Sequence, residues 1–148
     1  MERSPNSTIL EVKNLKKYFP ITKGFLGRKV GDVKAVDDIS LKIKKGETLG
    51  LVGESGCGKT TVGRCLLRIY DPTDGAIRFK GQDIAKLPFN KIRALRREIQ
   101  LIFQDPYGSL DPRQSAGSIV GEAIKIHKIC SNNQNYKNRV EELFTLVG

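Results

Sequence analysis

The chain has 148 residues, 39% of them hydrophobic, enough for one ordinary domain and too few for two comfortable ones. Its formal charge of +10 admits a phosphate-bearing partner, but Lys16-Lys17, Lys44-Lys45, Arg93, Arg96-Arg97 and Lys125 are scattered, with no aromatic-interleaved RNA-binding motif; this disfavours nucleic acid and leaves solvated surface, with some attraction to a membrane face. No apolar run nears the ~20 residues of a membrane helix, Met1-Glu2-Arg3-Ser4-Pro5-Asn6 lacks a signal peptide's apolar core, and the three cysteines form no Cys-x-x-Cys or Cys/His cluster; a cytoplasmic chain without a disulfide framework or zinc site is expected.

In chain order, Ile9 to Leu15 partly alternates and predicts an opening strand, and Ile39-Ser40-Leu41-Lys42-Ile43 alternates cleanly as a second. A turn at Lys45-Gly46-Glu47 leads into an apolar run, Thr48 to Val52, expected as a buried strand. Next comes Gly53-Glu54-Ser55-Gly56-Cys57-Gly58-Lys59-Thr60-Thr61, a full match to G-x-x-x-x-G-K-[ST]. Glycines let such a backbone curl into a concave row of N–H donors, and the helix that follows turns its positive end toward phosphate. The motif therefore predicts a nucleoside triphosphate site. Lys59 is expected to reach the β and γ oxygens, Thr60 to ligate Mg²⁺, and Thr61 to donate on the α-phosphate side. Cys57 lies inside the loop, so its alkylation is expected to block nucleotide.

Val62, Cys65, Leu66 and Ile69 recur at helical spacing after the loop. Turn formers at Asp71 to Gly75 precede a short strand at Ala76 to Phe79, and Lys80-Gly81-Gln82 turns again. Asn90 to Arg97 predicts a short basic helix and Ile99 to Phe103 a strand. The segment from Gln104 to Arg113 holds two prolines and a glycine and predicts an irregular loop. Ile119, Val120, Ala123, Ile124 and His127 then share one helical face, the run Ser131 to Asn135 interrupts, and Val140, Leu143, Phe144 and Val147 mark a last amphipathic helix.

With a phosphate loop, a later Gln-Asp-Pro loop and a β-rich start, the chain resembles the ATP-binding subunits of ABC transporters over nearly all its length. The resemblance implies an α/β fold: a P-loop NTPase (RecA-like) core with an antiparallel β subdomain over residues 1–104, and the Q-loop and start of a helical subdomain over 105–148. Asn14-Leu15-Lys16-Lys17-Tyr18-Phe19-Pro20 looks like the family's aromatic loop, whose ring stacks on adenine, a contact worth about 1–3 kcal/mol. Phe19 is the first choice and Tyr18 the second; the competing reading is an aromatic covering the sheet edge. Val36 is placed to touch ribose or base, against the reading of a core valine. Gln104 resembles the Q-loop glutamine, which joins the Mg²⁺ shell and orients water. A rival reading makes Asp105 the metal-binding carboxylate at the end of a strand. The Asp-Pro turn and the lack of a following acidic residue count against it.

The stretch from Phe19 to Gly31, a long insertion, and the extension from Phe103 to Arg113 resemble the oligopeptide and dipeptide importer branch; nickel importers share much of the pattern. Implied partners are transmembrane permease subunits and a second ATP-binding subunit, identical or not, at the cytoplasmic face of the membrane. The Leu-Ser-Gly-Gly-Gln-like signature, the Walker B strand ending in Asp-Glu and the switch histidine do not occur in the 148 residues. His127, the one histidine, precedes where the signature would fall. A truncated form is therefore expected, marginal in stability, binding ATP with little or no turnover. The alternatives are a nucleic-acid repair type of P-loop ATPase and a non-catalytic ATP-binding remnant.

Overall fold

Two long strands, β1 (Thr8–Lys23) and β2 (Arg28–Lys44), pair antiparallel along their whole length in the computed structural model, which describes residues 7–25, 27–105 and 108–148. Further along the chain come α1 (Lys59–Leu66), β3 (Asp74–Phe79), β4 (Gln82–Asp83), α2 (Phe89–Leu95), α3 (Ala116–Ile126) and α4 (Asn133–Val147). The strands form one antiparallel sheet in the order β2-β1-β3-β4. The chain divides into two compact units, Met1–Ile99 and Gln100–Gly148. The division falls a few residues before the one at 104 expected from sequence.

The partial alternation of β1 has a structural cause. Strict alternation would turn Val12 and Asn14 to one face and Leu15 to the other. Val12 and Leu15 are both fully buried, because the register shifts between them at Asn14, whose φ is 47°. A bulge of this kind re-aims the side chains that follow it. Its polar atoms are satisfied across the strand pair: Ser40 Oγ accepts from Asn14 N at 2.9 Å, and Asp38 Oδ1 accepts from Asn14 Nδ2 at 2.7 Å. On the other side, β3 comes so close that a Cβ on Gly75 would lie 2.5 Å from Asn14 O. With its φ of +96° as well, that position demands glycine.

The core of the first unit lies between this sheet and the helices. Val12, Leu15 and Ile77 from the strands meet Val62 and Cys65, one turn apart on α1, and Ile92 from α2. Arg68, in left-handed conformation just past α1, secures that helix end by donating from Nε to Ile84 O at 2.9 Å and from Nη2 to Leu87 O at 3.2 Å. In the second unit, Gly121 of α3 admits the Tyr136 ring of α4: a Cβ there would lie 2.0 Å from the Tyr136 hydroxyl. Ser115 and Asn132 cap these two helices with their side-chain oxygens, as expected for N-cap residues.

Two sequence expectations fail. Neither Thr48–Val52 nor Ile99–Phe103 is a strand, and neither joins the sheet among the described residues. Leu49, Leu51 and Val52 are exposed, as are Leu101, Ile102 and Phe103. The composition suits a strand buried on both faces, but a strand exists only where a neighbour takes up its N–H and C=O groups. The insertion between Phe19 and Gly31 belongs to the β1–β2 ribbon, apart from Leu26, which lies outside the described residues together with Pro106 and Tyr107 of the Gln104 loop.

Candidate nucleotide-binding site

The segment from Gly53 to Gly58 makes a tight turn and delivers the chain into α1 at Lys59. Gly53, Gly56 and Gly58 all have positive φ, at 153°, 83° and 96°. Gly58 has a second constraint, since a Cβ would sit 2.2 Å from Ala35 O. The loop is thus seated on the β2 backbone, and glycine is the residue that allows it.

Among the described residues, the amides of Ser55, Gly56, Gly58, Lys59, Thr60 and Thr61 have no acceptor. Cys57 N alone in this run is engaged, by Glu54 O at 3.3 Å, and intrahelical bonding begins with Val62 N to Gly58 O at 2.9 Å. The N-cap of α1 makes no side-chain bond and its first turn has no acidic residue. A row of unpaired N–H groups at a helix start, in an exposed loop, is a binding surface for a multiply charged anion. Lys59 adds a cation to it. Its Nζ donates to Gly53 O at 2.6 Å and Glu54 O at 2.7 Å and lies 3.5 Å from Cys57 Sγ, so the ammonium is folded over the loop it belongs to.

The Thr60 and Thr61 hydroxyls form no protein hydrogen bond among the described residues. That of Thr60, on an exposed residue, is a hard oxygen of the kind Mg²⁺ accepts alongside phosphate oxygens. No cluster of three His, Cys, Asp or Glu that could hold a metal by itself occurs among the described residues.

The two aromatic candidates differ in their surroundings. Phe19 is half-buried and meets Tyr70 edge to face at 5.4 Å between centroids, with Lys17 Nζ 4.9 Å from its own centroid. Tyr18 donates its hydroxyl to Asp37 Oδ1, and Lys34 Nζ stands 5.4 Å from its ring. That hydrogen bond, reinforced by burial and by the negative charge of Asp37, pushes the Tyr18 phenol from 10.0 up to about 12. It correspondingly holds the Asp37 carboxyl below its ordinary 3.8. Sequence spacing signals neither Tyr70 nor Asp37 as a partner, because each contact joins residues that only the fold brings together.

Val36 is 3% exposed and belongs to the core, its Cγ2 near Gly58. Gln104 belongs to the second unit, exposed at a bend. Asp105 follows it, with its Oδ2 2.6 Å from where a Cβ on Gly108 would lie. His127 is half-buried at the C-cap of α3.

Comparison with known proteins adds an independent line. The profile of the ABC transporter family matches residues 36–148. The oligopeptide transport ATP-binding protein AppF of Bacillus subtilis (strain 168) is 52% identical over 149 residues, an alignment covering 100% of this chain and 45% of that protein. The glutathione import ATP-binding protein GsiA of Escherichia coli (strain K12) is 50% identical over 140 residues, covering 95% of this chain and 22% of that protein. The dimeric post-hydrolysis structure of the ATP-binding cassette MJ0796, bound to ADP and Pi, superposes with a TM-score of 0.71 at 22% identity, covering 90% of this chain and 54% of that one. The chain spans about half the length of the oligopeptide transport relatives it matches.

Proposed function

The chain belongs to the ABC transporter family, and on that premise we propose that it forms the nucleotide-binding part of an importer's ATP-binding subunit, coupling ATP binding and hydrolysis to uptake of oligopeptides or dipeptides. The observation that carries the reading is the set of unpaired amides at Ser55, Gly56 and Gly58 to Thr61, with Lys59 folded over them. A triphosphate tail would take up those amides, while Lys59 exchanges its carbonyl contacts for phosphate oxygens. Mg²⁺ would supply charge neutralisation beside the phosphates, with the Thr60 hydroxyl as its protein ligand; Gln104, in the second unit, is the further ligand that the family resemblance suggests. Phe19, or Tyr18 in its place, offers the adenine a ring to stack on. Permease subunits and a second ATP-binding subunit, at the cytoplasmic face of the membrane, complete the assembly.

These 148 residues supply the nucleotide-binding part; the signature segment, the Asp-Glu strand end and the switch histidine that would join it in hydrolysis are not among them. The relatives' names, oligopeptide and glutathione, support short peptides as the solute class over nickel.

Uptake tests this directly. In cells whose copy of this gene carries Lys59→Ala, import of a labelled short peptide falls to background while nickel import is unchanged. Unaltered peptide uptake, with nickel import lost instead, overturns the solute assignment; unaltered uptake of both overturns the transport reading.

A further inference from the structure

The far end of the β1–β2 ribbon has a use that phosphate binding does not account for. β3 accompanies β1 only as far as the pair Lys16 and Asp74, and the last brace on β1 is the contact of Phe19 with Tyr70. Beyond it, Pro20 to Lys23 pair with Asp32 to Arg28 alone, a ribbon of about 13 Å. Pro20 to Lys23 and Arg28 to Val30 are all exposed. A two-stranded ribbon solvated on both faces is marginal in water unless something packs on it.

Its tip is chemically specific. Gly24 and Gly27, both with positive φ and joined by a bond from Gly27 N to Gly24 O at 3.1 Å, close the turn. Phe25 between them is fully exposed, at 106%. Directly behind the turn, Lys23 and Arg28 are cross-strand partners. Like charges placed opposite one another oppose pairing, and neither has an ion-pair partner among the described residues. Lys29 stands next to Arg28 and leans on Asp32 at 2.9 Å.

We propose that this tip docks on an anionic lipid surface, with the Phe25 ring entering the headgroup boundary and Lys23 and Arg28 meeting lipid phosphates. An aromatic apex with basic shoulders matches the layered chemistry of a bilayer interface, apolar within and anionic at the rim. A wholly apolar protein pocket would leave the facing cations unanswered, whereas lipid phosphate neutralises both and removes their mutual repulsion. The inference rests on the membrane-face placement proposed above and is independent of nucleotide. It supplies a direct contact with lipid in addition to any contact with a permease.

The chain has no tryptophan, so Phe25→Trp makes a single reporter at the tip. Mixing the full chain with phosphatidylglycerol vesicles shifts the reporter's emission to the blue and exposes it to brominated-lipid quenching; phosphatidylcholine vesicles do neither. The double reversal Lys23→Glu with Arg28→Glu lowers partition onto phosphatidylglycerol by more than about tenfold at low salt. Mg-ATP binding, measured on the same samples, stays unchanged and separates failure of this inference from failure of the nucleotide reading. Reporter emission that ignores lipid, that responds only when permease protein is present, or vesicle binding that survives the double reversal through charge elsewhere on the chain, overturns the proposal. If the double reversal does not fold, the quenching arm on the Phe25→Trp protein decides alone.

Discussion

Gly58 is the residue on which the site depends most, because its left-handed backbone and its close approach to Ala35 O both exclude a side chain. Gly58→Ala therefore costs about 1–3 kcal/mol of stability from backbone strain, with more from the clash, as read by urea unfolding. Loss of Mg-ATP binding should accompany it. Cys57 sits 3.5 Å from Lys59 Nζ and over Gly53, so a maleimide adduct on its sulfur fills the space around the lysine. Alkylation should abolish Mg-ATP uptake, and bound Mg-ATP should slow the alkylation; full affinity after complete modification contradicts that. Tyr18 makes a prediction of its own. Its phenol is raised by the Asp37 hydrogen bond, so its contribution to stability is whole below pH 10.0 and fades as pH rises through about 12. Ultraviolet titration should show a tyrosine with a midpoint near 12 that disappears in Tyr18→Phe and moves down in Asp37→Asn. At this scale the sequence was informative about the loop, whose positive-φ glycines and entry into α1 lie where the motif puts them. It was silent on Tyr70, Asp37 and Ala35, whose roles arise from contacts across the fold.

Among the elements, β1 shows how much a period-two pattern conveys and where it stops. Alternation located the strand, while the bulge at Asn14 that brings both Val12 and Leu15 inside depends on Ser40, Asp38 and Gly75. The same strand carries Glu11, in cross-strand register with Lys42 on one side and Arg78 on the other. The hydrogen bond from Lys42, with the field of Lys13 behind it, holds the Glu11 carboxyl below 4.5 despite partial burial. A depressed folded value means stability that is complete above about pH 4.5 and is lost as pH falls through the folded value. Glu11→Gln should flatten the acid limb of the stability profile in a urea series; identical acid limbs would remove Glu11 from the account. The helices were legible because apolar residues at three- and four-residue spacing have few other readings. The two missed strands, Thr48–Val52 and Ile99–Phe103, were misread for the converse reason. An apolar run states that burial is favourable, and pairing needs a partner that the run itself does not name.

For the molecule as a whole, those unpaired apolar runs set its solution behaviour. Ile102 is 95% exposed, between Leu101 and Phe103, also exposed. Such a segment is a template for association, so the chain should bind a hydrophobic dye and self-associate with rising concentration, and Ile102→Lys should reduce both in light scattering. The net charge of +10 opposes that association and weakens in salt, which predicts more self-association at high ionic strength. The proposed cup for the phosphates of a magnesium nucleotide consists of the free amides of Ser55, Gly56 and Gly58 to Thr61 together with the Lys59 ammonium. Calorimetric titration of the folded chain with Mg-ATP is the direct measurement. Saturable binding at one site, weakened about 10- to 100-fold by Lys59→Ala, is the predicted result; no heat of binding, or equal affinity in the two proteins, contradicts it.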